Sequence, residues 1–283
     1  MHVPYLETAG TRGERTAATR GRAVSEPLRR RVSLPNGSDA RVLELGDGEP
    51  LGFLGGIRGL PRWIPFLDRL AQQRRVIAPS LPGFPGGGDF RALDDLPDWI
   101  AATLDLIEAA GLEGADWVGA SVGGTLLAEV AAVARASVRR LVLIAPFGLF
   151  DEAEPVADLF AQRKSEIGPL LSARPDLLEA FLARPEGEDE IEFEISCARA
   201  EEAAARLLWP TGDLGLAKRL HRVRAPTLLL WGSGDRVVPA SYAKRFASQL
   251  GGLVQSRAIP DAGHTLEIDA PDAAANAILE FLA

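Results

Sequence analysis

The stretch Asp116-Trp117-Val118-Gly119-Ala120-Ser121-Val122-Gly123-Gly124, followed by the alanine- and leucine-rich run from Thr125 to Arg135, decides how this chain folds. Ala115 to Val118 reads as a short buried strand, and the run after Gly124 carries helical spacing. Ser121 therefore stands where a strand turns sharply into a helix. The small residues around it have steric tasks. Gly119, Ala120 and Gly123 leave room for a tight, strained backbone at Ser121 and let the helix return close against the strand.

Upstream of this turn, Arg31 to Leu34 and Ala40 to Leu45 flank Pro35-Asn36-Gly37, and the Asn-Gly pair predicts a β-hairpin. Leu51 to Leu54 is a third strand, apolar enough to be central. The loop Gly55-Gly56-Ile57-Arg58-Gly59 follows, then a helix opening near Pro61 and running through Trp63, Phe66, Leu67 and Leu70. Val76-Ile77-Ala78 is the next strand, ended by the rigid turn Pro79 to Phe84. Gly86-Gly87-Gly88 reads as a flexible surface loop and matches no phosphate-binding fingerprint. Leu96 to Ala110 is an amphipathic helix stopped by Gly111, and Leu141 to Ile144 is a buried strand ended by Pro146. Strands alternating with helices after a hairpin predict an α/β fold with a mostly parallel sheet covered by helices on both faces.

The alternation stops there. Residues 147–224 read as helices separated at Pro155, Gly168, Pro175, Pro185 and Pro210, with Ala203 to Leu208 and Glu186 to Glu194 showing solvated faces and His221 at the surface. The strand-helix pattern resumes with Pro226 to Trp231, a helix from Ala240 to Leu250, a strand near Leu253 to Ile259 and a terminal helix from Pro271 to Leu282. The expected organisation is a loose polar extension over residues 1–28, a core formed by 29–146 and 225–283, and a helical insertion over 147–224. Arg12, Arg15, Arg20 and Arg22 of the extension read as solvated charges.

Composition narrows the chemistry. At 283 residues, 47% hydrophobic and 25% charged, the chain can bury a large core in one enlarged domain or in two. No apolar run approaches the roughly 20 residues of a membrane span, and no signal-peptide core follows the N-terminal arginines, so a cytoplasmic location without membrane partners is expected. Cys197 is the single cysteine and the three histidines are scattered, which predicts neither a disulfide nor a metal site, and no cofactor. A net charge of -8 argues against a nucleic-acid surface and favours a small-molecule partner.

Gly119-Ala120-Ser121-Val122-Gly123 fits G-x-S-x-G and resembles the nucleophile elbow of the α/β-hydrolase superfamily. Trp231-Gly232-Ser233-Gly234-Asp235-Arg236-Val237-Val238-Pro239 is similar to the W-G-x-x-D-x-x-V-P element that carries the acid of that superfamily's triad. Gly263-His264 comes third, giving the superfamily's chain order of Ser, Asp, His. The resemblance runs from about Arg29 to the C-terminus. It implies the α/β-hydrolase fold, with residues 147–224 as a helical cap over the nucleophile. It also implies that Ser121 attacks, His264 is the base, Asp235 orients the base, and the backbone NH groups of Val122 and Ile57 form the oxyanion hole. Two positions depart from the pattern: Gly55-Gly56 stands where His-Gly is usual, and Ser80 where an acid is usual. On the residues alone, Asp235 can equally cap the next helix, Gly55 to Gly59 can be a plain flexible turn, and Asp151 or Glu152 is an alternative acid.

The chemistry can be stated without the family. A serine hydroxyl is a poor nucleophile until a base takes its proton, an imidazole with pKa near ~6.5 suits that task, and a carboxylate must fix its tautomer. The expected activity is hydrolysis of a small, mostly apolar carboxylic ester or similar acyl substrate through an acyl-serine. Aspartate at the elbow would instead have resembled haloalkane dehalogenases and epoxide hydrolases. One alternative is carbon-carbon bond hydrolysis of the meta-cleavage-product type, where Asn usually precedes the serine and Trp follows the histidine; this chain has Ala120 and Thr265. The other is a ligand-binding protein that keeps the fold without turnover. Phe147, Phe150, Phe160, Phe181, Phe193 and Trp209 are candidates for an apolar roof or for the cap's own core, and Arg163 and Arg206 for solvated cap charges.

Overall fold

The Asn36-Gly37 turn folds as its residues dictate: Gly37 takes φ +79° and joins β1 (Leu28–Ser33) antiparallel to β2 (Asp39–Leu45), with Ser33 opposite Asp39. The computed structural model describes residues 26–283, so most of the expected N-terminal extension, including its four arginines, lies outside the described residues. β2 pairs antiparallel with β4 (Arg75–Pro79). From there every pairing is parallel, through β3 (Pro50–Leu54), β5 (Ala115–Ala120), β6 (Val138–Ile144), β7 (Thr227–Gly232) and β8 (Val254–Ile259). Among the described residues the sheet has eight strands in the order β1-β2-β4-β3-β5-β6-β7-β8.

β5 and β7 are buried along their whole length, which is why they read as continuous apolar runs rather than as alternating ones. One face of the sheet packs on α2 (Leu96–Ala110), α3 (Val122–Val133) and α8 (Tyr242–Gln249) through Trp99, Leu106, Leu126, Val130 and Phe246. The other face packs on α1 (Pro65–Ala71) and α10 (Pro271–Leu282) through Phe66, Leu67, Leu70, Ala274 and Ile278. The chain thus has the α/β-hydrolase fold expected of it. β3 sits between β4 and β5, so the chain leaves β3 toward one edge of the sheet and returns to build the other. Loops at the carboxyl ends around such a reversal converge, and that is where the site forms.

Four insertion helices lie between β6 and β7: α4 (Lys164–Leu171), α5 (Pro175–Leu182), α6 (Glu190–Leu208) and α7 (Ala217–Leu220). Several local expectations needed correction. Residues 147–163 form no helix. Gly168 and Pro169 lie inside α4 rather than breaking it; the proline forfeits its own N–H, yet the Gly168 carbonyl still accepts from Ser172 N at 3.0 Å. Ala203, Ala204, Leu207 and Leu208 are buried, because α6 lies across the core with the Ala203 methyl against Gly83. Gly86-Gly87-Gly88 is a packed turn, not an open loop. Arg41 N donates to Gly86 O at 2.8 Å, Gly83 N donates to Gly88 O at 2.9 Å, and a side chain at Gly87 would collide with the Leu81 carbonyl. α1 starts at Pro65, not near Pro61, since a proline is best placed in a helix's first turn.

Candidate active site

The elbow is held by backbone contact. Ser121 has φ +51°, a value few non-glycine residues adopt, and stands directly before α3. Its amide donates to Ile144 O on β6 at 2.7 Å. A Cβ on Gly119 would sit 2.7 Å from the backbone of Gly123 and Gly124, and one on Gly123 would sit 2.7 Å from the Gly55 carbonyl, so the strand, the helix and the Gly55 loop meet only because those residues are glycines. Thr125, one turn into α3, donates to Ser121 O at 3.1 Å and accepts from Phe147 N at 2.9 Å, tying the chain after β6 to the elbow.

The structure brings Ser121, Asp235 and His264 together. Asp235 leaves the end of β7, and its Oδ1 accepts from the amides of Val237 at 2.8 Å and Val238 at 3.0 Å. Its Oδ2 lies 2.9 Å from His264 Nδ1, and His264 Nε2 lies 2.9 Å from Ser121 Oγ. A carboxylate only accepts, so Nδ1 carries the proton toward Asp235 and Nε2 is left to accept from the serine hydroxyl. Burial is the largest influence on His264 and pushes the imidazole down. The charge and hydrogen bond of Asp235, with Glu267 adding to them, outweigh it, and the net displacement is upward from the ordinary value. The Phe147 ring meets the imidazole edge-on at 5.4 Å. Ser121 is 4% exposed and His264 2%, so the serine and the imidazole are enclosed.

Val122 begins α3, where the first amides of a helix have no partner within it and carry its positive dipole end. Gly56 borders Ser121, since a Cβ there would lie 3.3 Å from Ser121 Cβ and 3.9 Å from Oγ. Glycine is therefore what lets this loop approach the serine. Ser80, standing where an acid is usual, faces a cation instead of replacing one. Its Oγ accepts from Arg41 Nη2 at 3.2 Å, and the same guanidinium binds the carbonyls of Leu60, Pro61 and Pro85 beside the loop. Burial is the main cause that brings Arg41 down to about 10.

The insertion reaches the site from two directions. Leu171 O accepts from Thr265 N at 2.9 Å and from its hydroxyl at 3.1 Å, and Arg58 of the Gly55 loop pairs with Glu201 on α6. Of the candidate roof residues, Phe147 touches His264, Phe160 and Phe181 pack partly buried against the core, and Phe150 and Trp209 are exposed. His221 and Arg206 are exposed, and Arg206 lies over the Phe90 ring. Asp151, the alternative acid, is engaged elsewhere: Arg245 pairs with its carboxylate and Ala153 N donates to Oδ1 at 2.9 Å.

Two acids near His264 escaped the sequence reading. Asp269, on the short helix α9 (Leu266–Asp269), accepts from Gly263 N at 2.7 Å, Ala173 N at 2.9 Å and Ser172 Oγ, and so anchors the histidine loop to the insertion. Glu267 is the other. Neither belongs to a residue pattern that marks it, and a four-residue helix leaves no periodicity to read. Among the described residues no group of three or more His, Cys, Asp or Glu is arranged to hold a metal ion, and no helix is long and apolar enough to cross a membrane.

Comparison with known proteins points the same way as the fold. The chain is 30% identical over 260 residues to the dihydrolipoyllysine-residue acetyltransferase component of an acetoin cleaving system from Pseudomonas putida, covering 86% of this chain but only 66% of that protein. It is 27% identical over 286 residues to a 2-hydroxy-6-oxo-2,4-heptadienoate hydrolase, also from Pseudomonas putida, covering 89% and 96% of the two chains. A carboxylesterase of Bacillus subtilis is 25% identical over 244 residues, covering 81% and 78%. Residues 53–277, from the end of β3 to α10, match the alpha/beta hydrolase family, and with a match across most of its length this chain belongs to that family of hydrolases.

Proposed function

We propose that the protein is a serine hydrolase of small, mostly apolar carboxylic esters, with Ser121 as nucleophile, His264 as general base and acid, and Asp235 as the carboxylate that orients the base. One observation carries the reading: an unbroken chain from Asp235 Oδ2 through the imidazole to Ser121 Oγ, with both links at 2.9 Å. The serine proton passes to Nε2 as Oγ attacks the acyl carbon. The developing oxyanion is met by the amides of Val122 and Ile57, and the imidazolium returns its proton to the leaving alcohol. Water then resolves the acyl-serine by the same base. Residues 147–224 serve as the cap that encloses the substrate.

Carbon-carbon bond hydrolysis is the second reading, favoured by the similarity to the heptadienoate hydrolase. Against it stand Ala120 and Thr265, where enzymes of that type usually carry Asn and Trp. The Thr265 hydroxyl also donates its proton to the Leu171 carbonyl, which leaves it no proton to donate to a substrate. Two measurements test the proposal. Ser121→Ala should fold normally and lose kcat by about 10⁵-fold or more, and residual activity within about tenfold of the parent would overturn it. Steady-state kinetics should give a kcat/KM at least about tenfold higher for a short-chain aryl ester than for a vinylogous 1,5-diketone, a difference of roughly 1.4 kcal/mol. A ratio favouring the diketone would move the protein to the carbon-carbon hydrolases.

A further inference from the structure

α9 carries a buried acid for which the triad has no use. Glu267 lies three residues past His264, and its Oε2 is enclosed without a hydrogen-bond partner. The isolation is not a property of the turn, since Asp269 on the same helix has three donors. A carboxylate oxygen left without a donor away from water is costly, so Glu267 must be neutral or must face a cation. The charges on the helices around it are spent elsewhere. On α1, Asp68 accepts from Trp63 Nε1 at 2.8 Å and Arg69 pairs with Asp272 of α10 at 2.6 Å. On α5, Asp176 pairs with Arg174 and Glu179 is exposed; on α10, Glu280 pairs with Arg257. The titratable groups within electrostatic reach of Glu267 are His264, Asp269 and Asp235. Among these His264 alone can become a cation.

We propose that Glu267 is a second positioning carboxyl for His264. Ionised, it supports the imidazolium that forms when Ser121 gives up its proton; protonated, it withdraws that support. The proposal rests on the triad reading above. Burial pushes Glu267 up to about 7; a hydrogen bond from its own backbone amide and the charge of His264 draw it back, and Asp269 and Asp235 add to the rise. Each group's charge displaces the other's titration, so the steps seen in solution belong to the pair rather than to either residue.

Nitrogen-15 NMR of the histidine ring tests this in the full-length Ser121→Ala protein, with His264 assigned by its loss in a His264→Gln variant. His264 should titrate in two steps. Adding Glu267→Gln should leave one step, displaced downward by at least about 0.5 pH unit. In the active enzyme, Glu267→Gln should move the acidic limb of kcat/KM down by a similar amount. It should also lower kcat at pH 8.5 by about three- to tenfold while KM holds, because the lost interaction exists only with the imidazolium. A single-step titration with Glu267 in place overturns the proposal without any Glu267 variant having to fold, and so does a Glu267→Gln profile that stays put. Activity surviving Ser121→Ala would instead overturn the triad reading, and the two failures are told apart.

Discussion

Two aspartates with enclosed carboxylates stand at opposite ends of the sheet. At its amino end Asp116 is fully enclosed and accepts from Arg74 Nη2 at 3.0 Å, Arg139 Nε at 2.9 Å and Arg139 Nη2 at 3.0 Å. At its carboxyl end Asp235, equally enclosed, accepts from two backbone amides and faces one imidazole. Both carboxylates are satisfied, as burial requires. They differ in what their partners can do. A guanidinium keeps its protons at any working pH, so the amino end can only hold the structure together; an imidazole can take and return one, so the carboxyl end can do chemistry. Burial of an acid therefore says little about its role until the partner is named.

The comparison breaks most visibly if the two aspartates are exchanged for neutral residues in turn. Asp235→Asn should lower kcat by about 10⁴-fold, because the amide can hold the wrong tautomer of His264, while the melting temperature moves by only a few degrees. Steady-state kinetics with a thermal melt on one preparation checks both halves. Asp116→Ala should do the reverse. It leaves Arg74 without its buried carboxylate and should cost about 3 kcal/mol in a urea titration, with kcat within about threefold of the parent. If Asp116→Ala proved the worse lesion in kcat, the division of labour between the two ends would be wrong.

The same contrast explains what the sequence could tell. Ser121, Asp235 and His264 each sit among small residues that a tight turn requires, so each carries a local mark, and their order supplied the rest. The parallel strands were legible because burial on both faces makes them continuously apolar. Arg74 and Asp116 carry no such mark: 42 residues separate them, and Arg219 lies 90 residues from the buried Glu129 that it holds at 2.6 Å. Such pairs exist only once the chain has folded. The insertion was legible as helical but not in its faces. Alanines of α6 that could as well face water are buried because Gly83 leaves room for them, a fact about another segment. Glu267 was invisible for a similar reason, since a glutamate in a polar loop is ordinarily exposed.

A third kind of buried acid, Glu267, sharpens the comparison because its Oε2 is enclosed without a hydrogen-bond partner. Glu267 has a folded-state pKa of about 7 against 4.5 when exposed. The native state therefore favours its protonated form. That contribution to stability is full below about pH 4.5, shrinks as the pH rises and is gone above about 7. Glu267→Gln removes this contribution. The variant's unfolding free energy relative to the parent should improve by up to about 3 kcal/mol between pH 5 and pH 8, and the parent's stability should fall over that interval. Urea titrations at both pH values measure it. A difference independent of pH would mean that the carboxyl is hydrated rather than isolated.

The smallest effect is expected at Asp151, and its smallness is informative. Asp151 follows β6 at the mouth of the insertion and is the rival for the acid's role, but its carboxylate is engaged elsewhere. Arg245 takes its carboxylate, Ala153 N donates to Oδ1 at 2.9 Å, and its own amide donates to the Tyr242 hydroxyl at 2.9 Å. Arg245 is 41% exposed, so the pair contributes in the manner of a surface ion pair and its loss should cost less than about 1 kcal/mol. Asp151→Asn keeps the shape and the amide contacts, and kcat and KM should both stay within about twofold of the parent. The double variant with Asp235→Asn should be no worse than Asp235→Asn alone, since residues without a shared partner act additively and Asp151 has almost nothing to add. A hundredfold loss in Asp151→Asn would mean that His264 turns to Asp151 during turnover, and Asp235 would then join Asp116 among the carboxylates that only hold the fold.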